Sequence, residues 1–211
     1  MSRLDWLDNL FEQQRAAFNR HPMPPLAQRR QWLKALRLAL IERQEQLVTA
    51  IDQDFDGRSA DETRLAELLP SVQGLAHAEK HLSRWMKAQR RRAGLAFQPA
   101  SARVQYQPLG VVGVIVPWNY PLFLAIGPLT GALAAGNRVM LKLSETTPAT
   151  GEALKALLES VFPTDMVSVV LGEAEVGEAF SRLPFDHLLF TGATSIGHKV
   201  MHAAADNLTP V

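Results

Sequence analysis

Cysteine is absent from all 211 residues. That excludes disulfides, thiolate metal sites and a cysteine nucleophile within this chain. Net charge is nearly absent too: 22 Lys+Arg against 21 Asp+Glu leave +1. No positive excess calls for nucleic acid or anionic lipid, and no acidic excess suggests a solvating tail. A long unbroken apolar run is also missing. Val104 to Asn137 holds no Asp, Glu, Lys or Arg, but Pro108, Pro117, Asn119, Pro121 and Pro128 interrupt it. It falls short of the roughly 20 apolar residues of a spanning helix. Met1 to Arg30 is too charged for a secretory h-region, so the expected compartment is the cytosol. What is present is 47% hydrophobic and 20% charged residues, the composition of a folded globular chain of one or two domains.

The pattern changes near residue 100. Residues 1–100 read as a helical part. Leu7, Leu10, Phe11 and Phe18 share one face of a first helix, and Trp32, Leu33, Leu36, Leu40, Leu47 and Ile51 follow the same period over a longer second one. Ser59 with Glu62 predicts a capping box. It opens a third run through Leu65, Leu68, Leu69, Val72, Leu75, Leu82 and Trp85, which Pro70 should kink or break. Arg84 to Arg103 is locally basic: a solvated helix end is the expectation, a phosphate-contacting patch the alternative. Residues 101–109 form a strand segment, in which Arg103, Gln105 and Gln107 alternate with Val104 and Tyr106. It reads as an exposed strand whose edge suits a partner.

Residues 110–211 alternate strands and helices. Val111–Val116, Arg138–Leu143, Met166–Leu171 and His187–Phe190 are short apolar runs. Helices are predicted from Pro121 to Gly136-Asn137, from Pro148 to near Ser160, over Glu173–Ser181 and over Ser195–Ala205. The fold class is therefore α/β: N-terminal helices plus a parallel, Rossmann-like sheet with helices on both faces. Leu208 to Val211 reads as the lead into a further strand, so the sheet is expected to be truncated before its last strand.

In such sheets ligands bind beyond the carboxyl ends of the strands. Four loops qualify. Pro117-Trp118-Asn119-Tyr120-Pro121 leaves Asn119 projecting between two prolines, suited to an oxyanion or else bonded to its own turn. Lys142, Ser144 and Glu145 suit a sugar's hydroxyls or else form a surface ion pair. The third loop is Leu171–Ala174. Thr191-Gly-Ala-Thr-Ser-Ile-Gly197 sits where a strand meets a helix start, a place for pyrophosphate, although it departs from the G-x-G-x-x-G fingerprint. His77/His81 and His198/His202 have i,i+4 spacing without the glutamate or the third ligand a metal needs, so no metal site is expected.

Together, Gly110-Val-Val-Gly-Val-Ile-Val-Pro-Trp-Asn-Tyr-Pro121, Ala134-Ala-Gly-Asn-Arg-Val-Met-Leu-Lys-Leu-Ser-Glu-Thr-Thr-Pro148 and Phe190-Thr-Gly-Ala-Thr-Ser-Ile-Gly197 resemble the NAD(P)-dependent aldehyde dehydrogenases. Arg58-Ser-Ala-Asp-Glu-Thr63 and Leu68-Leu-Pro-Ser-Val72 most resemble the coniferyl aldehyde dehydrogenase branch. The resemblance implies oxidation of an aldehyde, coniferyl or a related aromatic or long-chain one, to the acid. A cysteine thiolate attacks the carbonyl, hydride passes to NAD or NADP, and a glutamate activates water. It implies Asn119 as oxyanion donor and Lys142 with Glu145 on the adenosine ribose. Ile115, Val116, Pro117 and Trp118 would line the cofactor cleft, Gly172 would lie near the adenine and Gly177 in the adenine-side helix. Phe190, Thr191, Gly192, Ala193, Thr194 and Ile196 would lie along the pyrophosphate side. Residues 102–107 match the family's oligomerisation strand, implying a homodimer or larger assembly. The family's Glu-Leu-Gly-Gly motif and cysteine are absent, so the chain reads as an N-terminal part without the catalytic half and is expected to be inactive alone. The alternatives are a stand-alone nucleotide-binding module and a related acyl-phosphate reductase.

Overall fold

The computed structural model describes residues 4–211. Helix α1 (Asp5–Arg20) buries Leu7, Phe11, Gln14 and Ala17, one stripe at helical spacing. The expected long second helix is instead two, α2 (Leu26–Glu42) and α3 (Gln44–Phe55), because Arg43 leaves helical geometry at φ −102°, ψ 18°. No glycine or proline marks that break. The capping box does not form: no side-chain bond caps α4 (Ala60–Thr63) at Ser59, and Glu62 bonds Arg58 instead, 3.0 Å away. Pro70 does not break the third run. A π-helical turn, Arg64–Leu68, runs without interruption into α5 (Leu69–Trp85), and its wider geometry accommodates Pro70, which lacks the N–H of a regular helix.

Arg90 and Arg91 are not at a helix end. Strand β1 (Gln89–Arg91) pairs antiparallel with β2 (Ala102–Val104) in an exposed ribbon. The expected in–out alternation of residues 102–107 therefore has no buried side to follow, since all six are exposed.

The remaining elements lie within a residue or two of their predicted places. They are β3 (Val111–Ile115), α6 (Pro121–Ala135), β4 (Arg138–Lys142), α7 (Pro148–Val161), β5 (Val167–Val170), α8 (Ala174–Ser181), β6 (His187–Phe190) and α9 (Thr194–Ala205). Pro121 and Pro148 open helices with φ preset, and Gly136, at φ 93°, ends α6 in a conformation costly for other residues. Beyond α9, the Pro210 carbonyl accepts from Leu188 N–H at 2.9 Å.

The four strands run parallel in the order β5-β4-β3-β6. The chain steps outward from β3 to β5, then returns to the other side of β3. That reversal makes the carboxyl ends of β3 and β6 a topological switch point. Strand alternation sends residues to opposite faces. Val112, Val114, Val139, Leu141, Val167 and Val169 join a core with α2, α3, α5, α6 and α7. Val111, Met140, Val170 and Leu188 join a smaller one with α1, α8 and α9. The same parity places Ile115, Lys142 and Phe190 on the second face.

Candidate functional site

A cleft of about 730 Å³ opens on that second face, between α8 and α9 above the strand ends. Ile115, Val116, Phe190 and Ile196 give it apolar walls, and Ala174 and Gly177 keep the α8 side thin. Lys142 and Glu145 meet at its strand end. This is the size and make-up of a small-molecule site: mostly apolar, with a few convergent polar groups.

Lys142 closes β4 and is nearly buried, its side chain 3% exposed. Nζ donates to the Leu143 carbonyl at 2.7 Å and lies 3.6 Å from the Glu145 carboxylate. Burial pushes its pKa below the usual lysine value, while Glu145 and Glu173 pull it back up. An ammonium has three donors, and one here is spent on a carbonyl at close range. The Glu145 carboxylate, more than a third exposed, keeps acceptor sites open toward the cleft. A vicinal diol between them would receive a donor and an acceptor at once. The ion-pair alternative is equally visible, since the two groups also face each other.

At the open end of the cleft, Ala193 precedes the first turn of α9, which has no capping side chain. Residues 192–196 are all exposed. Its first N–H groups therefore face solvent with the positive end of the helix dipole, which favours an anion. Phe190 lies beneath this loop: a Cβ on Gly192 would sit 2.6 Å from its ring, so the close approach needs glycine.

The cofactor residues named from sequence thus divide. Ile115, Val116, Lys142, Glu145, Gly177, Phe190 and Ile196 line the cleft. Thr191, Gly192, Ala193 and Thr194 form the loop at its rim, tied to β3 through Thr191 N–H and the Ile115 carbonyl, 3.2 Å apart. Gly172 turns β5 into α8 at φ 139°, with Val176 against it, and does not line the cleft. Pro117 is half-buried, and Trp118 turns away to pack its indole on Phe55, centroids 6.2 Å apart. Asn119 is exposed at the β3 end. Its carbonyl accepts from Arg58 at 2.8 Å.

Sequence reasoning missed Glu178, Arg182, Lys199, His202 and Asp206, which edge the cleft from α8 and α9. Their helical periodicity was the available signal. It missed Arg58 and Glu67 as well. Glu67 is fully buried, and its carboxylate accepts from the N–H groups of Leu122 and Phe123 at 2.8 and 3.1 Å. Burial pushes its pKa up, against the opposing pull of those N–H groups and Arg58. Among the described residues no three His, Cys, Asp or Glu side chains converge as a metal site would require. No helix among them is long and apolar enough to cross a membrane.

A parallel sheet with this switch point, a slot between α8 and α9 and a lysine–glutamate pair at its head agree with the profile of the aldehyde dehydrogenase family, which matches residues 5–211. The chain belongs to that family. A protein from Pseudomonas aeruginosa called a probable coniferyl aldehyde dehydrogenase is 67% identical over 208 residues, 99% of this chain and 44% of its own length. A coniferyl aldehyde dehydrogenase from a Pseudomonas species is 49% identical over 172 residues, 82% of this chain and 35% of that protein. The chain thus spans less than half the length of these relatives. Among solved structures, a Mycobacterium tuberculosis aldehyde dehydrogenase complexed with NAD+ superposes with a TM-score of 0.87 at 29% identity, over 100% of this chain and 43% of that one. The substrate-bound Staphylococcus aureus AldH gives 0.94 at 30% identity, over 97% and 44%.

Proposed function

We propose that this chain forms the cofactor-binding part of an NAD(P)-dependent enzyme that oxidises coniferyl aldehyde, or a related aromatic or long-chain aldehyde, to the acid. The observation that carries the reading is the buried Lys142 beside the Glu145 carboxylate at the head of an apolar slot. The residues present fit a dinucleotide. Lys142 and Glu145 would hold the adenosine ribose, Gly177 and Ala174 would leave room for a flat ring beside α8, and the α9 N-terminus would take the pyrophosphate. Bound, the cofactor supplies a hydride acceptor. Asn119, exposed at the end of β3, would donate its amide to an oxygen gaining charge, a term worth roughly 2.7–4 kcal/mol where it operates. The 211 residues hold no thiol, so residues 1–211 alone should turn over no aldehyde. Measurable NAD reduction by the pure chain would refute that expectation. The proposal extends to a cytosolic compartment and to a homo-oligomer that uses the β1–β2 ribbon.

Cofactor titration tests the ribose reading without catalysis. Glu145→Gln retains the shape and replaces one acceptor oxygen with a donor. Charge-assisted bonds are worth roughly 1.5–3 kcal/mol each, so NAD affinity should fall about tenfold or more. NADP should lose less, because the carboxylate that repels its 2′-phosphate is gone as well. Equal affinities for both variants and both dinucleotides would leave Glu145 a surface ion-pair partner. Appreciable binding together with inactivity at every aldehyde, even in a longer form carrying the family's cysteine, would favour a non-catalytic nucleotide-binding module.

A further inference from the structure

Arg58 lies in the short connection between α3 and α4, far in sequence from the loop it touches. Its guanidinium sits over the rings of Phe55 and Tyr120, 4.6 and 4.5 Å from their centroids, and its side chain is only 6% exposed. Nη1 donates to the Asn119 carbonyl at 2.8 Å and lies 3.4 Å from Glu67, while Nη2 donates to Glu62 at 3.0 Å. Glu67 in turn holds the N–H groups of Leu122 and Phe123. The Pro117–Pro121 loop is therefore gripped at the Asn119 carbonyl and the Tyr120 ring, and the start of α6 that follows it at two amides, all from the N-terminal part of the chain. None of these bonds uses the side-chain amide of Asn119, which stays exposed. We propose that Arg58 is a positioning residue: it fixes the backbone of Asn119 and so the point at the end of β3 from which this amide projects. What the amide does there rests on the oxyanion reading above; that its backbone is fixed does not.

The geometry needs a guanidinium. Its planar fork reaches a carbonyl and two carboxylates while two aromatic rings lie close to it. A lysine keeps the charge but reaches one acceptor at a time and stacks poorly. Charge alone would therefore not rescue the arrangement.

The natural absence of cysteine makes a direct test simple. Spin labels at Asn119→Cys and Glu159→Cys, the second on α7, report the spread of one distance in the intact chain. A control pair, Glu42→Cys with Glu159→Cys, reports the helical scaffold. Arg58→Lys should widen the loop-pair distribution by about twofold and leave the control pair unchanged. A merely stabilising role would lower the unfolding midpoint without widening the loop pair in the folded chain. An unwidened loop pair, or equal widening in both pairs, overturns the proposal. If Arg58→Lys does not fold, Glu62→Ala decides. It removes one exposed anchor of the fork: widening confined to the loop pair supports the assignment, and no widening overturns it. Neither result depends on nucleotide binding or turnover, so the cofactor reading can fail without deciding this one.

Discussion

The two faces of the sheet treat their helix starts in opposite ways. On the first face, Glu67 accepts from the opening amides of α6, and Asp54 accepts from Ala149 and Thr150 of α7 at 3.0 and 2.7 Å. Both carboxylates come from the N-terminal helices. On the second face, α9 starts without a capping side chain and its first residues lie in solvent. All three helices begin at the same edge of the sheet. What separates an internal joint from a place for an outside anion is whether a neighbouring helix delivers a carboxylate to it. Helices α2, α3 and α5 pack on the first face, while α1 shares the second with α8 and α9 and delivers no carboxylate to the α9 start.

On the proposed cofactor reading, changes at the first-face helix starts should cost stability and spare nucleotide, and changes at the α9 start should do the reverse. The largest effect is expected from Glu67→Leu, which strands the Leu122 and Phe123 amides and removes one of the two carboxylates facing Arg58. It should destabilise by about 3–5 kcal/mol in urea titration, with cofactor affinity of the folded fraction unchanged. Asp54→Ala should cost about 0.5–2 kcal/mol, as for a lost helix cap, and again spare the cofactor. A loss of NAD affinity in either variant, beyond the unfolded fraction, would break the division between faces.

Acidity sharpens the comparison. Burial holds the folded pKa of Glu67 above its ordinary 4.5. The folded chain therefore binds this proton more tightly than the unfolded one, and the associated stability is full below 4.5, then lost as pH rises through the folded value. Glu67→Gln has no such group. Wild type should therefore lose ground to Glu67→Gln as pH rises from about 4.5 toward neutrality, read from urea midpoints at each pH. A constant difference would mean that Glu67 titrates normally. The smallest effect is expected of Gly131→Ala on the exposed side of α6, where an added Cβ meets nothing within 4 Å. It should stabilise by roughly 0.5–1 kcal/mol in thermal or urea melts.

The βα part was legible because its signals are local. Runs such as Val111 to Val116 fix strands, and Pro121, Gly136 and Pro148 punctuate helices. Strand parity then carries Lys142 to the cleft side. The helical part was less legible because its decisive facts are tertiary. Arg43 ends α2 with no breaker residue, and Ser59 yields to a bond between Arg58 and Glu62 that no spacing rule ranks higher. Arg58 and Glu67 look like charges on a solvated helix until the α6 N-terminus is placed over them. The polar rim of the cleft, with Lys199 and Asp206, was hidden in the same way.

The wide turn before α5 has an angular consequence. Thr63, Glu67, Ser71 and Leu75 are all buried, each four residues after the last. In an unbroken α-helix, a step of four overshoots a full revolution by about 40°, so three steps would swing the last residue about 120° off the line. The π-helical turn at Arg64–Leu68 rotates less per residue, absorbs most of that excess and keeps the four close to one line. Deleting a single residue there would restore a regular spiral of the same composition, and the carboxylate that seats α6 would precess out of line with it.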